Sequence, residues 1–205
     1  MNGLLSISRF IDKLNEQVGK SIIWLVLIAV LISSINAIIR KMFNVSSNAF
    51  LELQWYLFSG IFLLGSGYAL QKNEHVRIDV ITARFSTQTR IWIELFGTVF
   101  FLLPMAVAIV YYSWPVFVLS LTTHEMSANA GGLLLWPARL LVPVGILLLV
   151  LQGLSQAIKC VGFLRGKAPD PTLKEQRPTA EEELAEAIRL ARAAEGKNSV
   201  GGSAK

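Results

Sequence analysis

Cysteine is nearly missing from this chain: its 205 residues include one, Cys160. A lone thiol excludes a CxxC redox pair and any disulfide within the chain, and reads as a group sheltered near a helix end. Histidine is almost as scarce. His75 and His124 fall in separate connections between apolar stretches. They cannot clamp one haem between facing imidazoles, so each reads as solvated or locally hydrogen-bonded. Zinc-ligand spacings, a nucleophile elbow and a phosphate loop are all lacking. No enzyme activity and no cofactor are expected. The shortage with the largest consequence is charge. Residues 21–39, 53–71 and 95–124 carry no charged side chain, and residues 140–160 carry only Lys159.

At about 1.5 Å per residue, 19 or 20 helical residues cover the roughly 30 Å hydrocarbon slab of a bilayer. Trp24, Trp55, Tyr56, Tyr68, Trp92, Tyr111, Tyr112, Trp114 and Trp136 are all the Trp and Tyr of the chain, and each lies at or near an end of a charge-free stretch. Rings with an apolar body and a polar tip are most stable at headgroup depth. A mean hydropathy of +0.53 with 53% hydrophobic residues agrees. These features predict an all-α membrane protein with four transmembrane helices. Two regions are expected: a four-helix domain over 1–165, too full of spans to hold a soluble catalytic domain, and a polar tail over 166–205.

The net charge of +5 arises in residues 1–165, because the tail holds equal numbers of acidic and basic residues. Nucleic acid is not the expected partner, since the cations gather at span ends. Ten of them (Arg9, Lys13, Lys20, Lys72, Arg77, Arg84, Arg90, Lys159, Arg165 and Lys167) fall on one side, against Arg40, Lys41 and Arg139 on the other. The positive-inside rule then puts both termini in the cytoplasm. No small-residue cleavage site follows the first apolar run, so 21–39 is expected to stay as a span.

Before that span, Phe10, Ile11, Leu14 and Val18 recur at helical spacing with Arg9, Asp12, Lys13 and Glu16 opposite. This predicts a short amphipathic helix lying in the inner interface. A second is expected at 80–85, capped by Asp79, with Ser86 capping the helix that follows. The third span is longer than a bilayer needs. Tyr111, Tyr112 and Trp114 mark its expected exit with Pro115 just beyond, so it either tilts or projects. Trp136-Pro137 is expected to open span four. In the tail, Thr179 with Glu182 makes a capping box for a cytoplasmic helix.

A protein that moves a charged solute keeps ionisable groups at mid-membrane depth. Here Arg40, Glu52, Glu94, Arg139 and Lys159 sit at span ends, and Gly/Pro-broken helix pairs are missing. The bundle is therefore expected to bury no ionisable group. The helices do offer small-residue stripes: Ala29, Ser33 and Ala37 on span one, Gly153 and Ala157 on span four. Such stripes suit helix packing, within the chain or against a partner.

From span two onward the order of motifs becomes specific. Glu52-Leu53-Gln54-Trp55-Tyr56-Leu57-Phe58, Leu64-Gly65, Tyr68 and His75-Val76-Arg77-Ile78-Asp79-Val80 lead to Gly97 and Pro104. Glu125, Ser127, Gly132, Trp136-Pro137, Pro143 and Leu151-Gln152-Gly153 follow. Over about residues 10–165 the chain resembles the small permease subunit (DctQ type) of tripartite ATP-independent periplasmic (TRAP) transporters. The resemblance implies a bacterial inner-membrane scaffold subunit working with two partners. One is a large membrane subunit that imports an organic acid on a sodium gradient; the other is a periplasmic substrate-binding protein. It implies that Glu52 and Trp55 orient span two against the large subunit; Ala29, Ser33 and Ala37, by their spacing, are the candidate interface on span one. The simpler alternative pairs Glu52 with Arg40 or Lys41. His75, Arg77 and Asp79 would order the inner loop. Glu125, Trp136 and Arg139 would meet the binding protein, unless Glu125 and Arg139 merely pair. The competing class is a quinone-reactive membrane anchor of a respiratory enzyme, which the lack of intramembrane histidine disfavours. A small autonomous exporter would need an early intramembrane carboxylate, for which Glu52 lies too near the surface.

Overall fold

The computed structural model describes residues 2–43, 48–73, 85–166 and 168–169. The inner-loop residues His75, Arg77 and Asp79, residues 80–84 of the helix expected at 80–85, and the tail helix lie outside them. Among the described residues every regular element is helical: α1 (Asn2–Phe43), α2 (Asn48–Gln71), α3 (Thr87–Gly97), α4 (Leu103–Thr122) and α5 (Trp136–Leu164). A π-helical turn, Thr98–Leu102, fuses α3 to α4. Four rods are long and apolar enough to cross a membrane: α1, α2, the fused α3–α4 and α5. The side of the bundle holding the start of α1 is called inner below, after the charge asymmetry.

Capping follows the local sequence. Ser86 has extended backbone, and its Oγ accepts the Thr89 N–H at 3.3 Å, as expected of an N-cap. The π-turn sits just ahead of Pro104. Proline has no N–H and its ring crowds the carbonyl four residues back, so the ladder is re-registered, with Leu103 donating to the Thr98 carbonyl. The third rod is longer than a bilayer needs, as expected: Pro115 lies inside α4, which runs on to Thr122, so 36 residues and about 54 Å of helix stand where about 30 Å would span.

The first helix also departs from expectation. No separate surface helix exists; Asn2–Phe43 is one rod of 42 residues, about 63 Å long. Its inner third is also turned about its axis. Ser8, Ile11 and Asn15 are buried, while Phe10 is 70% exposed. The expected ridge therefore splits: Ile11 faces the bundle together with Ser8, Asn15 and the half-buried Asp12, while Phe10 and Leu14 face outward beside the exposed Arg9 and Lys13.

Helix α5 is the hub, packed against every other helix. Its buried residues are small or polar: Gly145, Gln152, Gly153, Ser155, Gln156, Cys160 and Gly162 among them. Lipid tails are as apolar as leucine, so close backbone approach and hydrogen bonding, rather than oiliness, select what lies between membrane helices. At Gly145 an added Cβ would lie 2.7 Å from the Leu63 backbone of α2, and at Gly153 it would lie 2.8 Å from the Leu102 side chain. Large apolar side chains such as Phe62, Phe101 and Met105 are exposed, the surface a lipid solvent requires.

Candidate functional site

Two polar clusters stand out, one at each end of the bundle. At the outer end, α4 stops with His124 in left-handed conformation (φ 47°), and the Glu125 N–H reaches back to the Ser120 carbonyl at 3.2 Å. This six-to-one bond is the Schellman arrangement. The chain then makes a miniature hairpin. Met126 and Leu134 form an isolated bridge, the Ser127 N–H donates to the Leu133 carbonyl at 2.9 Å, and Gly132 N–H donates to Asn129 at 2.9 Å. Gly131 supplies the positive φ (70°) the turn needs.

Glu52, in the second turn of α2, holds this hairpin shut. One carboxylate oxygen accepts Ser127 Oγ–H and Asn129 Nδ2 (2.8 Å), and the other accepts the Leu133 backbone N–H at 2.7 Å. Its residue is only 4% exposed. Arg40 and Lys41 are not its partners among the described contacts; the donors come from the loop 123–135. Asn48 adds a bond to the Ala130 carbonyl (3.1 Å), and Tyr56 Oη one to Leu134 (3.0 Å). Arg139 grips Glu125 with both terminal nitrogens, Nη2 at 2.7 Å from Oε1. Trp136 is half-buried beside them and Trp55 points outward, 65% exposed.

At the inner end, α1 and α5 meet along a ladder of polar side chains. Ser8 Oγ and Ser155 Oγ are 2.7 Å apart. Asp12 Oδ1 accepts Ser155 Oγ–H (2.9 Å) and Gln152 Nε2 (3.0 Å), and its Oδ2 pairs with Lys159 Nζ at 2.6 Å. Asn15 Nδ2 donates to Gln152 Oε1 at 2.9 Å. A Cβ on Gly67 would fall 2.4 Å from Asn15 Oδ1, and one on Gly19 as close to the Tyr68 ring. Bare glycines therefore let α1 and α2 touch here. The expectation of a bundle without buried ionisable groups is corrected at the outer end, where Glu52 is buried; at the inner end Asp12 and Lys159 are half-buried, 17% and 26% exposed.

The small-residue stripe on α1 splits. Ala29 is buried within the chain, whereas Ser33 and Ala37 are exposed. Of the residues expected to matter, Glu52, Glu125, Trp136 and Arg139 are brought together, and Trp55 stands on the outer surface nearby. Sequence reasoning missed Asn48, Tyr56 and Asn129 as loop ties, and the whole inner ladder. A signal for the ladder exists: Ser8-Asp12-Asn15 and Gln152-Ser155-Lys159 each repeat polar residues at three- and four-residue steps, one helical face apiece.

Neither cluster has the makings of acid–base or nucleophilic chemistry. Each carboxylate is already engaged by donors from its own chain, and among the described residues no group of three metal-ligating side chains occurs. What both clusters do is fix backbone in place. A family model described as tripartite ATP-independent periplasmic transporters, DctQ component, matches residues 29–162. The chain belongs to the DctQ family. No curated protein and no solved structure matches it. As a DctQ-family chain it is a small membrane subunit of a TRAP transporter and not an enzyme. The matched stretch takes in the whole outer cap and the α5 half of the inner ladder; Ser8, Asp12 and Asn15 lie before it.

Proposed function

We propose that this DctQ-family subunit braces the large transport subunit of a sodium-driven importer of organic acids, without itself carrying solute. The outer cap would receive the periplasmic binding protein. One observation carries this reading: the carboxylates packed into the bundle, Glu52 and Asp12, are satisfied by this chain's own donors. A solute or coupling ion would have to break those contacts to bind. The long rods give a fixed surface instead, with Ser33, Ala37 and Trp55 exposed towards a partner.

On this reading both termini face the cytoplasm of a bacterial inner membrane, and residues 166–205 form a separate polar tail. Glu125, Trp136 and Arg139 support the docking surface by shaping the hairpin, while Met126, 63% exposed at its edge, makes the contact. Vesicles holding the large subunit and supplied with the loaded binding protein and a sodium gradient should accumulate organic acid only when this chain is present. Undiminished uptake without it would refute the proposal. Met126→Glu should raise the binding-protein concentration needed for half-maximal uptake several-fold, with copurification of the large subunit unchanged.

A further inference from the structure

The neighbours of α5 fix which parts of the other rods share a level in the bundle. Gln152 accepts a hydrogen bond from Asn15 of α1 at 2.9 Å. A Cβ on the adjoining Gly153 would lie 2.8 Å from Leu102 and 3.1 Å from Leu103 of the fused α3–α4 rod. Asn15 and Leu103 therefore stand level. Leu103 is nine residues past Glu94, well inside the charge-free run 95–124. Asn15 is five residues short of Lys20, after which the charge-free run of α1 begins. At about 1.5 Å per residue the two inner edges are out of step by about 21 Å. Helix α5 packs on both α1 and α4, which do not pack along each other, so these edges lie on separate flanks.

We propose that the lipid-contacting belt of this subunit runs obliquely, the bundle leaning so that its α1 flank sits nearer the inner face of the membrane than its α4 flank. The partner of this slanted surface is the bilayer itself, and the inference does not depend on the transport reading. In an upright bundle one slice would hold the exposed Glu16–Lys20 ion pair of α1 together with the exposed Phe101 and Met105 of the fused rod. Hydrocarbon suits only the aromatic and aliphatic side chains, and headgroups or water suit only the ion pair. A lean gives each its own depth. Helix axes packed 8–10 Å apart put α1 and α4 about 16–20 Å from each other across α5. A lean of about 40°, the upper end for membrane helices, then takes up most of the mismatch.

Two further features agree. A Cβ on Gly60 would touch both Leu25 of α1 and Leu141 of α5, so those two residues stand level. Trp24, the inner ring of α1, is therefore only about 9 Å along the bundle from Trp136, the outer ring of α5. Upright helices would hold inner and outer rings about 30 Å apart. The length of the third rod is the second feature. At 40° a helix needs about 26 residues to cross about 30 Å, and the fused rod has a charge-free run of 30. The 19 charge-free residues of α1 cover only about 22 Å at that lean. Lys20 and Arg40, one at each end, reach outwards to the headgroups and make up the difference.

The test uses the full-length chain with its copurifying partners in vesicles of phosphatidylglycerol and phosphatidylcholine. Cys160, buried, is removed as Cys160→Ser. Gln17→Cys and Met105→Cys, level with each other and exposed on the two flanks, then each carry a bimane fluorophore. Quenching by lipids with a nitroxide in the headgroup is compared with quenching by lipids with one in mid-chain. The Gln17 position should be quenched at least threefold more strongly from the headgroup, and the Met105 position at least threefold more strongly from mid-chain. Lys13→Cys and Phe101→Cys form a second level pair, used where a variant of the first fails to assemble. The same preference at both positions of a pair overturns the proposal, because the bundle then stands upright. Quenching of the α1 label by neither lipid also overturns it, since protein or an aqueous crevice then covers that flank.

Discussion

The two ends of this bundle each engage a carboxylate, buried at Glu52 and half-buried at Asp12, for different purposes. At the outer end Glu52 gathers two side chains and a backbone N–H from one irregular loop. At the inner end Asp12 gathers three side chains, all from one regular helix. The outer carboxylate replaces the hydrogen bonds that a hairpin too short to pair fully cannot make for itself. The inner helices need no such help, because their backbones are already satisfied. There the carboxylate selects which face of α1 meets α5, and so sets rotation and register.

Removing the outer hub should do the most damage. Glu52→Ala strands the Leu133 N–H and two side-chain donors together, so amide exchange across 126–134 should accelerate by orders of magnitude while α5 stays protected. Glu52→Gln, which keeps acceptor capacity, should fall between. If exchange in the loop is unmoved, Glu52 is not what orders it.

The inner pair should show coupling instead of collapse. Losing one partner of a fully buried ion pair costs about 3–5 kcal/mol. Asp12 and Lys159 are 17% and 26% exposed, so Asp12→Ala should cost less, roughly 1–3 kcal/mol. Adding Lys159→Met should recover much of that loss, a coupling energy above ~1 kcal/mol in a double-mutant cycle of detergent unfolding. Purely additive losses would mean the pair does not set the helix contact.

Glycines sharpen the contrast further. Gly67→Ala would push a methyl to 2.4 Å from Asn15 Oδ1 and 3.2 Å from the Leu148 carbonyl, at a cost of about 1–3 kcal/mol. Gly97→Ala meets nothing within 4 Å and sits within the fused rod, so it should gain up to about 1 kcal/mol. Thermal midpoints of the two variants should therefore move in opposite directions.

The smallest effect belongs to the outer rim. Glu125 and Arg139 pair with side chains 37% and 30% exposed, so Glu125→Gln should cost at most about 1 kcal/mol. Unlike the inner cycle, that loss should fade in high salt, where screening shortens the reach of exposed charges.

These regions also differ in how far they could be read before folding. Spans were legible because a bilayer demands length and apolarity, which 21–39 or 95–124 display without any partner. Ser86 was legible as a cap, since capping is a contact between near neighbours. Glu52 stood out as a carboxylate at a span end, yet its partners lie more than 70 residues away, and nothing local favours them over Arg40. Asp12 was assigned to water because charge opposite an apolar ridge ordinarily faces solvent. Lipid reverses that preference: Phe10 is comfortable outside, and Asp12 is best placed against Gln152, Ser155 and Lys159.

The unbroken first helix carries a mechanical corollary. Ser8, Asp12 and Asn15 clamp its foot, while beyond Ser21 it makes no side-chain hydrogen bond to another helix among the described residues. Packing against the bundle continues to Ala29, which is buried, and the stretch beyond it is largely exposed, a lever fixed over its inner two-thirds. A small change of tilt in the held part sweeps the far tip, Arg40 and Lys41, sideways.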